Sequence, residues 1–227
     1  MHIEPGIVDG AKLTLSYATA IASIGLVAKM SAQALHKDGG ITGLAARSVL
    51  TTALVFSFFE ILPHYPVGVS EVHFILGSTL FLIFGAGASA IGLAAGLLLQ
   101  GLFFAPFDLP QYGMNVTTLL VPLLAVAAVA RKIIPEKTAY VDVNYGQALA
   151  LSTAYQGGVV GWVAFWAFYG QGFGAENMTS VFSFGAAYMM VVIMEPLADL
   201  AVLAGAKTLS GLKGSALVQS RLHSAVA

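Results

Sequence analysis

Across positions 73–105 the chain carries no Lys, Arg, Asp or Glu. Such a stretch has no polar stripe to turn toward water, so it is not a surface helix or half-buried strand of a soluble fold. Positions 13–34, 45–62, 116–130, 148–169 and 178–203 are also mostly apolar, with at most two charged residues each, and a membrane-spanning helix needs about 20 mostly apolar residues. Composition agrees. Hydrophobic residues make up 58% and charged residues 9%, against roughly 45–50% and about 25% in soluble domains. The 10 Lys and Arg and 11 Asp and Glu side chains are too few to keep a soluble surface dispersed. The expectation is an all-α integral membrane protein in contact with lipid. No segment reads as a linker and no internal repeat is visible, so positions 1–227 read as one domain.

Positions 73–105 are long for one span and short for two, and Gly85-Ala86-Gly87-Ala88-Ser89 lies in the middle. Positive charge decides between the readings. If the pentad is a tight turn between two short spans, the bundle has seven transmembrane helices. Lys29, Lys37 and Arg47, then Arg131, Lys132 and Lys137, then Lys207, Lys213 and Arg221 all fall inside, leaving only Lys12 of the 10 basic residues outside. That is the bias the positive-inside rule requires. A single span would put the 131–137 cluster opposite the first one. The expectation is therefore about seven helices, N-terminus outside and C-terminus cytoplasmic.

The same arrangement makes the outer face acidic, with Glu4, Asp9, Glu60, Glu71, Asp108 and Glu176 on or near outer loops. His2, His64 and His73 join them, while His36 and His223 fall inside. A mouth lined by carboxylates and imidazoles attracts cations. Small residues recur at helix-packing spacing, at Ala88, Gly92 and Gly96 and again at Ala18 and Ala22. Such faces let helix backbones approach closely in a bilayer. Packing within the chain is the first expectation, a docking face for a separate membrane subunit the second.

The chain opens Met1-His2. Initiator Met is normally removed only before a small side chain, so His2 is expected to protect it and leave a free amine. The segment before the first apolar run holds Glu4 and Asp9 against a single basic residue, Lys12, and so lacks the positive start of a signal peptide. An amino-terminal X-His pair offers one metal three nitrogens: the terminal amine, the deprotonated His2 amide and the His2 ring. These close two nearly planar chelate rings because the amide is planar. A fourth nitrogen completes a square, the geometry of Ni(II) or Cu(II), with Co(II) bound less tightly. His73, at the outer end of the third span, is the best fourth donor. His64 is weaker, because Pro63 and Pro66 place it in an exposed loop. Gln100 and Asn115 flank the next outer loop, where they can hydrogen-bond the N-terminal segment or a ligating imidazole. His64, Glu71, Gln100 and Asn115 form the expected second rank around Met1, His2 and His73. Binding through an amine and neutral imidazoles weakens as pH falls.

Ionisable residues within spans are functional candidates by default. Glu60 lies near the outer end of the second span, and Glu195 and Asp199 in the inner half of the last. The last two are expected to meet Arg or Lys of the inner loops or of a partner subunit. A net charge of −1 leaves no footprint for nucleic acid. Cys 0 excludes disulfides, thiolate metal sites and Cys nucleophiles. No phosphate-binding Gly-rich loop, no Gly-x-Ser-x-Gly and no His-Glu-x-x-His occurs, and the last span has no Lys for a retinal Schiff base.

Several segments resemble the substrate-binding (S) component of cobalt and nickel energy-coupling-factor transporters, the CbiM/NikM family. They are Met1-His2-Ile3, Val69-Ser70-Glu71-Val72-His73-Phe74, Leu98-Leu99-Gln100 leading to Phe103-Phe104, and Gly113-Met114-Asn115-Val116. The likeness covers the first ten residues and roughly positions 66–130. It departs at Glu4-Pro5-Gly6, where the family usually reads Pro-Glu-Gly, and at Ala105-Pro106-Phe107-Asp108, where His-Gly-Gly is typical. The resemblance implies that Met1, His2 and His73 bind the metal. It also implies a transmembrane coupling (T) subunit, two cytoplasmic ATPase subunits and often a small accessory membrane subunit, with toppling of the S component to deliver its ion.

The functional expectation is an S component of an energy-coupling-factor transporter in the inner (plasma) membrane, importing Co(II) or Ni(II), with no cofactor of its own and no enzymatic activity. The alternative is an autonomous channel or secondary transporter for a small cation or solute, which predicts buried charges in mid-span and inverted repeats. A membrane enzyme, the third class, needs a nucleophile–base pair that no pairing here supplies.

Overall fold

The computed structural model describes residues 3–35, 40–135, 138–208 and 216–219. Its helices are α1 (Leu13–Leu35), α2 (Gly40–Glu60), α3 (Gly77–Phe103), α4 (Tyr112–Ile133), α5 (Tyr145–Gln171), α6 (Ala175–Met189) and α7 (Val191–Thr208). A two-stranded hairpin, β1 (Tyr65–Val67) and β2 (Ser70–Val72), joins α2 to α3. Among the described residues, six helical stretches are long and apolar enough to cross a bilayer, with α6 and α7 counted together. Burial sorts them. In α4, 67% of the apolar window is enclosed by the rest of the chain, against 17% in α1, so α4 is the bundle's centre and α1 faces lipid.

The expected pair of short spans over positions 73–105 takes another form. Helix α3 is one 27-residue stretch whose only non-helical residue is Gly85, at φ 79° and ψ 163°. A straight helix of 27 residues would be about 40 Å long. Its two flanks are nevertheless close together: His73 packs on Phe59 at 4.9 Å and Phe104 on Phe56 at 5.3 Å between ring centroids, both near the C-terminal end of α2. The chain therefore doubles back at Gly85, where only a residue without Cβ adopts this φ cheaply. Before the reversal comes an eight-residue arm, Gly77 to Phe84, of roughly 12 Å, too short to cross about 30 Å of hydrocarbon. Extended residues 73–76 complete the descent, and the Ile75 carbonyl reaches Gln156 Nε2 of α5 at 3.1 Å.

After Gly85, α3 runs alongside and parallel to α2. A Cβ on Gly92 would lie 2.3 Å from Thr51 Oγ1, and one on Gly96 would lie 2.6 Å from Val55 Cγ1; Thr51 Oγ1 donates to the Ala88 carbonyl at 2.8 Å. The Ala88, Gly92, Gly96 face is thus consumed by packing within the chain. Ala18 and Ala22 are exposed instead, and α1 buries Ser16, Ser23 and Met30. The last expected span is broken: α6 ends at Met189 and α7 begins at Val191. Pro196 lies in the second turn of α7, removing one helix donor and crowding the turn before it.

Candidate metal centre

Two residues, Gly68 and Val69, turn the hairpin, which pairs Tyr65 with Val72, Pro66 with Glu71 and Val67 with Ser70. Gly68 has φ 62°, and a Cβ there would lie 2.0 Å from the Ser180 carbonyl, so the turn is seated against α6. Ile3 adds to the other side of β2 through an antiparallel bridge to Ser70, and Glu4 N donates to the Val69 carbonyl at 3.3 Å. Asn115, at the start of α4, accepts from Ile3 N at 3.0 Å through Oδ1. Further along, Lys12 Nζ donates to the Gly170 carbonyl at 2.7 Å. The N-terminal segment is therefore laid across one end of the bundle and pinned at both of its own ends.

His73 follows β2 directly and is buried to 1% exposure. Its ring stacks on His64 at 4.7 Å with 9° between planes, and its Nε2 lies 3.5 Å from Glu71 Oε2. One ligand atom from each of His64, Glu71 and His73 falls within 4.8 Å of the others. His64 Nδ1 lies 3.3 Å from the Leu62 carbonyl; in the tautomer with Nδ1 as donor there, Nε2 is the ring's acceptor. Two imidazoles and a carboxylate form a borderline-soft donor set suited to divalent transition ions.

The structure thus brings His64 and Glu71 up against His73, closer to it than their sequence contexts imply. Met1 and His2 lie outside the described residues. Gln100 is buried and lines a small cavity with Asp108, Tyr112 and Asn115, and Gln100 Oε1 has no hydrogen-bond partner among the described residues. Asp108 is buried here, a placement that helical periodicity misses because the residue lies in the 3₁₀ turn Pro106–Gln111. The acidity of this end is also felt at Glu4, whose carboxyl is pushed up first by burial and then by the charge of Glu71. A cation arriving between them relieves that repulsion.

A helix bundle closed at one end by an N-terminal segment and a His-bearing hairpin defines a multi-pass membrane protein with a candidate transition-metal site. Consistent with it, two solved structures share the fold. A crystal structure of a transition metal transporter superposes with TM-score 0.67 at 15% identity, covering 92% of this chain and 93% of that one. One of a truncated transition metal transporter gives 0.66 at 16% identity, covering 90% and 97%. No curated protein matches the chain significantly. The model of the family described as cobalt uptake substrate-specific transmembrane region, CbiM, matches residues 2–209. The chain belongs to that family, whose members are membrane components of metal uptake.

Proposed function

We propose that the chain is the substrate-binding (S) component of an energy-coupling-factor transporter, capturing Ni(II) or Co(II) at the outer face of the inner membrane. The observation that carries this reading is the Ile3–Ser70 bridge. It puts Ile3 beside Ser70, three positions before His73; two residues at the ~3.3–3.6 Å that an extended chain spans each cover most of that distance, and side chains can cover the rest. With the chain starting at Met1, its amine, the His2 amide and ring, and His73 supply four nitrogens. Glu71 and His64 orient or supplement the fourth corner, Asn115 holds the segment that delivers the first three, and Gln100 faces the same end.

The reversal at Gly85 supports seven passages of one domain through the bilayer, the third made by extended residues 73–76 and the short arm of α3. The acidic end then lies outside, and Arg131 and Lys132, at the end of α4, lie inside with the C-terminus. The partners are a transmembrane coupling subunit, two cytoplasmic ATPases and a small accessory membrane subunit. Calorimetry on the purified chain tests the reading: His2→Ala and His73→Ala each lose high-affinity nickel and cobalt binding while unfolding at the parent temperature. Parent-like binding by both variants contradicts it.

The buried carboxylates of Glu195 and Asp199 favour a second reading, an autonomous secondary transporter. Vesicles holding this chain alone would then accumulate nickel under an ion gradient; on the first reading they do so only with the ATPase and coupling subunits present.

A further inference from the structure

A second polar cluster lies within the helix bundle, on the far side of Ile75 from His73. Glu195 and Asp199 stand one turn apart on α7, at 0% and 1% exposure. Glu195 accepts from Ser78 N at 2.9 Å, Ser152 Oγ at 2.7 Å and Gln156 Nε2 at 3.0 Å. Ser78 Oγ points at Asp199 Oδ2 from 3.5 Å. Donors from α3 and α5 thus converge on α7. Among the described residues, only neutral groups meet the two carboxylates, with no Arg or Lys beside them. Two carboxylates this close in a low-dielectric interior are not both ionised without a counter-charge.

The surroundings are suited to a cation in that role. Gln156 gives its amide hydrogens to the Ile75 carbonyl and to Glu195, which fixes its orientation and leaves Oε1 as an acceptor beside the carboxylate. Among the described residues, no donor reaches that oxygen. The hydroxyls of Tyr155 and Tyr188 are fully buried, lie within electrostatic reach of Glu195, and likewise have no partner among the described residues. Buried polar atoms left unsatisfied cost about 1–3 kcal/mol each, and here they gather around a pair of acids. Carboxylate, amide and hydroxyl oxygens with no nitrogen donor are the set that hard cations take.

We propose that Glu195, Asp199, Ser78 and Gln156 form an inner, all-oxygen binding site for a divalent cation, distinct from the imidazole-rich outer site. Two carboxylates match a double positive charge, and Ile75, two residues beyond His73, links the sites through Gln156. The inner site stands on its own geometry, whichever ligands hold an ion outside.

Mn(II), which favours oxygen and binds nitrogen ligands weakly, is the probe. Titration of the purified full chain followed by electron paramagnetic resonance is expected to show saturable binding of one Mn(II), retained in His73→Ala. The shape-conserving variants Glu195→Gln and Asp199→Asn weaken it at least tenfold while keeping tight nickel binding. A parent chain that takes up no Mn(II) saturably overturns the proposal, whatever the variants do. So does Mn(II) binding that survives both carboxylate variants or is lost in His73→Ala. Failure of the nickel reading shows elsewhere, as nickel affinity indifferent to His73.

Discussion

His73 combines near-complete burial with a ring stacked on His64 and a carboxylate at 3.5 Å. Metal binds the neutral ring through its lone pair, and burial with these two neighbours fixes where that ring sits. On the proposed reading, Glu71 is the orienting carboxylate commonly found behind a ligating imidazole. The nitrogens from the start of the chain are more exacting than His73. Amine, amide and ring of an X-His pair close their chelate rings only when the amine is adjacent to the His2 peptide. Acetylating the Met1 amine is therefore expected to weaken nickel binding as severely as His2→Ala, by calorimetry, although every side chain is retained. Unchanged affinity in the acetylated chain would remove the terminal amine from the coordination sphere.

At the scale of elements, the tightest seam joins α2 and α3. Gly92 and Gly96 admit no side chain against Thr51 and Val55, and the Thr51 hydroxyl spans the gap to the Ala88 carbonyl. Overpacking a close contact costs about 1–3 kcal/mol, so Gly92→Leu is expected to lower the unfolding temperature in detergent by several degrees. Gly25→Leu, at a position with nothing nearby, should leave it unchanged; equal effects would mean that the seam does not bear on stability. The spacing of Ala88, Gly92 and Gly96 made this face legible before any coordinates. The identical spacing of Ala18 and Ala22 falls on the exposed side of α1, away from its buried Ser16, Ser23 and Met30, because small residues permit contact without requiring it. The pentad at Gly85 was legible as a turn, but the short arm before it was not: hydropathy counts apolar residues and does not distinguish an extended descent from a helix. His73 was visible from its place in the chain. Its contact with His64 depends on how Pro63 and Pro66 route the loop, a tertiary outcome with no local signature.

For the whole molecule, the two ends differ in charge. Glu4, Glu71 and Asp108 gather where the N-terminal segment crosses the bundle, while Arg131 and Lys132 close α4 at the opposite end. The chain has Cys 0, so single cysteines report topology directly. With seven passages, cysteines at Tyr65 and Phe107, both exposed, react with an impermeant maleimide added outside intact cells, and one at Pro135 reacts only after lysis. Opposite accessibility at Tyr65 and Phe107 would restore a single span across positions 73–105. The central claim, that one ion is gripped jointly by the start of the chain and by His73, is tested most directly by a crystal structure of the nickel-loaded protein with anomalous scattering at the nickel edge. The expected result is a peak bonded to a ring nitrogen of His73 with the Met1 amine and His2 completing a square. A peak that leaves His73 outside its coordination sphere would contradict the account.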